Sequence, residues 1–385
     1  MKILHIITVF SIGGATENTL LTAKGFLDKG NQVDILTGPH IASEGDMYAI
    51  ARRFKLNVIT LKELKRNINI FFDIIALIKI YKHIKKNNYE LIHTHSSKAG
   101  IIGRLAAKMA GTKYIVHTIH GLPFHVNQNY FVSKFFIFLE KLGAIYSDRI
   151  VTVTERIIDV ALQNGIGNSR KFRVVRSGFD LSSFVNSNYD TVKIRNKLGL
   201  TKDDIVIGKV ARFSELKGHK YLIEAMEGII KSVPKIKVIF VGSGELESHI
   251  RNLIEEKKLN KNVIFAGLIE YDKIPEIISV FDILVHTSLL EGLARVIPQA
   301  FLLKKPVISF DIDGVSEVVI NNQNGFCTKP KDSKELAEAI LTLVMDKNLR
   351  VDFGENGYKR VCEEWSQEKM VSDLEKIYYD LQIGI

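Results

Sequence analysis

Ile205-Val206-Ile207-Gly208-Lys209-Val210-Ala211-Arg212-Phe213-Ser214-Glu215-Leu216-Lys217-Gly218 is the stretch on which the fold turns. It opens with an apolar run of strand length over residues 205–211, continues as a short polar loop, and enters a helical-period segment near Gly218. The same succession recurs in both directions from it. Downstream, strands are expected at residues 236–241, 262–266, 283–286, 306–310 and 325–327; upstream, at 2–9, 32–37, 57–60, 90–95, 114–118, 149–154 and 172–175. Apolar strands alternating with helical segments build parallel sheets covered by helices. The alternation breaks over residues 176–188, a Ser/Asn-rich stretch without sustained periodicity that reads as a linker before a helix at 190–198. Two Rossmann-like α/β domains are therefore expected, residues 1–180 and 181–365, with a last helical segment, 366–385, packing back on the first.

A chain of 385 residues suits two domains, and 46% hydrophobic with 25% charged residues excludes a disordered class. Two cysteines, Cys327 and Cys362, give neither a disulfide framework nor a metal-ligand spacing, so a reducing, cytoplasmic setting is expected. The apolar residues 3–10 follow a single lysine and lead into Ser11-Ile12-Gly13-Gly14 without a small-residue cleavage site, which reads as a buried first strand rather than a signal peptide. No apolar run approaches the roughly 18 residues of a membrane span. The net charge of +10 is uneven: residues 1–180 hold 25 Lys/Arg against 13 Asp/Glu, the remainder 28 against 30. A basic first half fits an anionic partner, whether a phospholipid surface, a pyrophosphate-linked lipid or nucleic acid.

Ligands of open parallel sheets sit beyond the carboxyl ends of strands, so chemistry is sought there. Gly13-Gly14-Ala15-Thr16-Glu17 is a turn into a helix, where backbone N–H groups meet a phosphate or sugar oxygen, or where the glycines only punctuate. His120-Gly121 places an imidazole after the strand 114–118. His93, His95, His117 and His125 raise a metal cluster as an alternative, but no carboxylate or cysteine stands with them, and His120 reads better as a neutral hydrogen-bonding group. His95-Ser96-Ser97-Lys98 leaves another strand end; either serine suits an N-cap, and Lys98 and Arg104 suit an anionic acceptor.

In the second half, Arg212 and Lys217 stand near a helix N-terminus, where two cations oppose the helix dipole unless an anion lies between them. The arrangement suits a diphosphate clamp. Gly242-Ser243-Gly244 lacks the third glycine of a dinucleotide fingerprint and suits close approach to a nucleotide or sugar. Glu291-Gly292-Leu293-Ala294 offers a carboxylate at the mouth of a helix expected to reach Gln299 two turns later; alone, Glu291 also fits a first-turn charge satisfying the dipole. Asp311-Ile312-Asp313 resembles paired aspartates that hold a divalent ion, and equally a capping loop.

In their order and spacing, Gly13-Gly14, His120-Gly121, Arg212 with Lys217-Gly218, Gly242-Ser243-Gly244 and the run from Glu291 to Gln299 resemble family 4 of the retaining glycosyltransferases, over nearly the whole chain. The resemblance implies the GT-B fold, α/β, with two Rossmann-like domains whose parallel sheets face each other across a cleft. It implies that Arg212 and Lys217 neutralise the donor diphosphate, that Glu291 binds donor-sugar hydroxyls with the backbone of Gly292, Leu293 and Ala294, and that His120 meets the sugar. Gly14, Gly242, Gly244, Leu268 and Gln299 complete the expected donor contacts; Glu17, His95, Ser97 and Lys98 are the expected acceptor contacts. Gln299 stands where the family has a second glutamate, which loses a charge at the ribose, and Thr154 and Ser177-Gly178-Phe179-Asp180 also depart from the pattern.

Transfer with retention, from a nucleotide sugar (a UDP-sugar first) to a saccharide or lipid-linked saccharide in surface polysaccharide synthesis, follows from the resemblance, with no cofactor, metal or nucleic acid. Two rivals are kept: a nucleotide-sugar epimerase, which needs carboxylates beside the sugar and finds only Glu17, and a non-catalytic sugar-nucleotide or nucleic-acid binding protein. Peripheral docking at the inner face of an anionic membrane is also expected. Within residues 69–89, Ile70, Ile74, Leu77, Ile78, Tyr81 and Ile84 form an apolar stripe among Lys79, Lys82, Lys85 and Lys86. The segment 130–146 is apolar almost all round, which reads as either deep burial or presentation to lipid.

Overall fold

Along the first strand, β1 (Lys2–Ile7), Ile3 and Ile7 join the core on one face while Leu4 and Ile6 join the core on the other. A strand buried on both faces is what a parallel sheet between helices requires. The computed structural model describes residues 1–42, 45–125, 128–181, 184 and 189–384. Part of the expected linker, residues 182–183 and 185–188, lies outside the described residues. The chain divides into two units, residues 1–179 with 365–385, and residues 180–364.

The first unit holds β1, β2 (Gln32–Thr37), β3 (Asn57–Thr60), β4 (Leu91–His95), β5 (Tyr114–Ile119), β6 (Arg149–Thr152) and β7 (Phe172–Val174), all parallel, in the order β3-β2-β1-β4-β5-β6-β7. Helices Gly14–Asp28 and Gln367–Ile383 supply Phe26, Leu374 and Tyr378 to the core on one face. Helices Ile70–Asn87 and Ser97–Ala110 supply Ala76, Ile80, Ala99 and Ala106 on the other. The second unit holds β8 (Ile205–Val210), β9 (Ile236–Val241), β10 (Val263–Gly267), β11 (Ile283–His286), β12 (Val307–Phe310) and β13 (Gly325–Thr328), again parallel, in the order β10-β9-β8-β11-β12-β13. Both sheets reverse their strand order beside their own first strand, at β1/β4 and at β8/β11. The loops leaving those strands diverge there, which opens a crevice for ligand.

Two helices of the first unit leave apolar side chains exposed. Ile70–Asn87 and Tyr130–Tyr146 both pack against Ser97–Ala110. The apolar stripe of the first is split: Ile80 and Ile84 are buried, whereas Ile70, Ile74 and Ile78 are exposed. The second turns its aromatic face outward, with Phe131 79% exposed and Phe135 and Phe138 also exposed. Its buried side carries a charge instead. Glu140 Oε2 accepts from Arg104 Nη2 at 3.1 Å, Arg104 Nε donates to the Gly100 carbonyl at 2.8 Å, and the guanidinium is 1% exposed. Gly143 makes room for it, since a Cβ there would meet Arg104 Nη2 at 2.3 Å. Arg104 is thus committed to a buried ion pair and does not face an acceptor. Among the described residues no helix is long and apolar enough to cross a membrane.

Candidate functional site

In the second unit the β8/β11 crevice is assembled from two loops that lock together through a buried lysine. Lys209, in the middle of β8's apolar run, is 1% exposed, and its Nζ donates to Thr287 Oγ1 at 2.9 Å. That hydroxyl donates in turn to the Gly218 carbonyl at 2.8 Å, and Leu289 N donates to the Leu216 carbonyl at 2.8 Å. Gly218 adopts φ 59°, and a Cβ would lie 2.1 Å from the Thr287 carbonyl oxygen, so no other residue fits where the loop enters helix His219–Ser232. Burial pushes the Lys209 ammonium down to about 7, Lys217 adds to this, and Glu291 opposes it.

Lys217 Nζ lies 2.5 Å from Glu291 Oε1, and His286 Nε2, at the end of β11, lies 3.4 Å from the same oxygen. Burial alone would raise the Glu291 carboxyl; the His286 hydrogen bond and the Lys217 ammonium outweigh it and hold the group down at about 2. Burial likewise keeps His286 below its ordinary value despite Glu291, so it is a neutral donor. Glu291 is held from behind as well, for its backbone N–H donates to Asp313 Oδ2 at 2.7 Å. Asp313 therefore spends one carboxylate oxygen positioning the Glu291 loop, a structural use of the kind the capping-loop alternative for Asp311-Ile312-Asp313 describes. Arg212 is exposed on the loop after β8.

Gly242 and Gly244 also have a use in packing. A Cβ on Gly242 would lie 2.2 Å from the Ala211 carbonyl oxygen, and one on Gly244 would lie 2.4 Å from that of Phe213. Phe213 N donates to the Ser243 carbonyl, and Leu246 N to that of Phe213. Their lack of a side chain lets the loop carrying Arg212 come close, and they buttress it. Residues 291–294 are irregular and the helix starts only at Val296, so Gln299 lies in the first turn of Val296–Leu302, 7% exposed. Gly292 and Leu293 are half-buried, Ala294 is buried, and Leu268 is exposed just past β10.

In the first unit the β1/β4 crevice is a cavity of about 620 Å³ lined by Gly13, Gly14, Ser96, Ser97, Lys98 and Phe135 among others. Ser96 sits at φ 59°, outside the range an L-residue favours, with its hydroxyl 2.7 Å from Thr8 Oγ1. Lys98 Nζ is paired with Asp73 Oδ1 at 2.6 Å. Glu17, the carboxylate on which the epimerase reading relied, is buried and absent from the cavity wall, where the carboxylate present is Asp73, paired with Lys98.

His95 corrects the expectation most sharply. It is wholly buried, and both ring nitrogens are occupied: Nε2 lies 2.9 Å from His5 Nδ1 and Nδ1 lies 3.1 Å from His120 Nε2. It does not touch an acceptor; it touches His120, which is half-buried past β5. His93 spends its nitrogens on Tyr378 and Thr118, at 2.5 and 2.7 Å, and His117 bonds Thr94. Among the described residues His5, His93 and His95 form the one histidine, cysteine or carboxylate group spaced for a metal. Their nitrogens, His5 Nε2 apart, are already bonded within the protein. Lys209, His286 and His5 were missed by sequence reasoning, as was the hold of Asp313 on the Glu291 backbone. The signal for Lys209 and His5 was present, a polar residue inside an apolar strand.

Comparison with known proteins adds an independent line. Residues 12–183 match the family described as Glycosyltransferase Family 4, and residues 190–360 match Glycosyl transferases group 1. The UDP-Gal:alpha-D-GlcNAc-diphosphoundecaprenol alpha-1,3-galactosyltransferase of Escherichia coli is 30% identical over 327 residues, 83% of each chain. The capsular polysaccharide biosynthesis glycosyltransferase CapM of Staphylococcus aureus is 28% identical over 327 residues, 82% of this chain and 83% of its own. In fold, the chain superposes on Anabaena Alr3699/HepE in complex with UDP-glucose with a TM-score of 0.84, at 23% identity over 99% of this chain and 100% of that one. The two-domain arrangement of parallel sheets is the GT-B fold, and the chain belongs to glycosyltransferase family 4.

Proposed function

We propose that the chain transfers a hexose or N-acetylhexosamine from a UDP-sugar to a lipid-linked saccharide, with retention at the anomeric carbon and without a metal ion. The observation that carries this reading is the cluster of Lys217, Glu291 and His286 at the β8/β11 crevice, on the loop pair that also bears Arg212. Departure of the nucleoside diphosphate builds negative charge on the β-phosphate, and fixed cations at a site built for charge lower that barrier without reorganising. Arg212 and Lys217 supply the cations. Glu291, ionised across the working pH range, accepts from donor-sugar hydroxyls, and Gln299 hydrogen-bonds the ribose in place of a carboxylate. Leu268, Gly292, Leu293 and Ala294, with Gly14, contact the donor, and Ser97 and Lys98, on the wall of the first unit's cavity, take the acceptor. The donor phosphate itself deprotonates the acceptor hydroxyl on the same face, so no side-chain nucleophile is required.

The UDP-Gal donor and diphosphoundecaprenol-linked acceptor in the name of the Escherichia coli relative, and the UDP-glucose held by HepE, support the donor and acceptor classes. Exposed Ile70, Phe71, Phe131 and Phe138, with Lys82, Lys85 and Lys86 nearby in the chain, support docking of the first unit on an anionic membrane at its cytoplasmic face. Incubation with a panel of UDP- and GDP-sugars, with and without a polyprenyl-diphosphate saccharide, tests the reading. An α-linked product from an α-linked UDP-sugar, formed equally in EDTA, is expected. Inverted product, transfer from GDP-sugars alone, or activity that collapses in EDTA and returns with Mn²⁺ would overturn the corresponding part.

A further inference from the structure

Three imidazoles run in series through the first unit: His5 on β1, His95 on β4 and His120 past β5, joined Nδ1 to Nε2 at 2.9 Å and Nδ1 to Nε2 at 3.1 Å. Their rings stack in order, with centroids 5.2 and 5.3 Å apart. Burial holds His5 down at about 3 and His95 well below the ordinary imidazole value, so both are neutral. A neutral imidazole has one N–H and one lone pair, so two consecutive contacts impose a single polarity on the chain. Either His5 Nδ1–H donates to His95 and His95 Nδ1–H donates to His120, or every proton lies at the opposite end of its ring.

The far end decides between them. His5 Nε2 is buried and, among the described residues, has no hydrogen-bond partner. The second arrangement puts a proton on that nitrogen, an orphaned N–H of a kind folded proteins rarely keep; the first leaves only a bare lone pair. We propose that His95 and His5 are positioning residues that lock His120 in the Nδ1–H tautomer, making it a fixed hydrogen-bond donor to the sugar substrate. The dead end at His5 also distinguishes a lock from a conduit, because a proton entering at His120 has no exit. That His120 touches the sugar is what the family resemblance implies and rests on the proposed transfer from a UDP-sugar; the tautomer does not.

Two-bond ¹H–¹⁵N correlation spectra of the full chain labelled at histidine read the tautomer directly. In the native chain His120 is expected with Nδ1 protonated and Nε2 bare, and a proton on His120 Nε2 would overturn the lock with no variant needed. In His95→Phe, His120 is expected to shift to Nε2–H, the form a free imidazole prefers. With it, kcat/KM should fall on the order of tenfold or more, the scale of losing a partner that orients a functional histidine. In a His120→Ala background the same change should cost nothing further. An equal loss in both backgrounds would show that His95 does not act through His120. If His120→Ala alone left kcat/KM unchanged, the substrate contact would fall, while the native spectrum would still decide the tautomer.

Discussion

Charge at single residues governs the second unit's crevice. Arg212→Ala and Lys217→Ala should each lower kcat by about a hundredfold or more with the fold intact, because they act on charge that develops only as the diphosphate leaves. Steady-state rates beside circular dichroism check this, and a native kcat in either variant would remove the clamp. Lys209 makes a different prediction. Its folded value of about 7 lies below the 10.5 of an ordinary lysine, so between those limits the unfolded chain holds the extra proton and the free energy of unfolding rises with pH. Lys209→Met should flatten that rise, read as the change in Tm between pH 7 and pH 9. Glu291 gives a slope of the same sign in a lower window: its depressed carboxyl contributes stability that is complete above about 4.5 and lost as pH falls towards about 2.

At the scale of elements, strands were more legible than what lies between them. Period-2 burial on both faces writes itself into composition, and the strand ends after β1, β4, β8 and β11 followed from it, with the glycines and cations that mark the crevices. The irregular loops were not legible, because their geometry is set by partners distant in sequence. Asp313 holds the Glu291 backbone from 22 residues away, and His5 reaches His95 across 90. The same blindness hid the packing role of Gly242 and Gly244, whose neighbours on the 211–213 loop no local pattern announces. That packing is testable. Gly244→Ala forces a Cβ against the Phe213 carbonyl, and overpacking of this kind costs about 1–3 kcal/mol. Urea unfolding should show it, and kcat should drop as the Arg212 loop shifts; an unchanged midpoint would mean that the turn yields freely.

For the molecule as a whole, the excess positive charge and the outward-facing aromatics occur in the same unit. The sequence made the charge plain, but not which side of Tyr130–Tyr146 meets solvent, since Glu140 gives no sign that Arg104 will bury it. Flotation with phosphatidylglycerol vesicles should retain the protein at low salt, less so at high salt, and not with neutral vesicles. Replacing Lys82, Lys85 and Lys86 by glutamine should weaken retention, and Phe131→Ser with Phe138→Ser should weaken it even at low salt. Absence from both vesicle types would sink the idea. One further consequence lies in the helix Gln367–Ile383, which places Met370, Leu374 and Tyr378 in the core that begins with Ile3. On the ribosome the first unit is translated early but cannot close until residues 367–383 emerge, whereas the second unit, wholly internal, has all its parts beforehand. The order of folding is then the reverse of the order of synthesis, and a nascent chain stalled before Gln367 should present a protease-resistant second unit beside a first unit still open to cleavage.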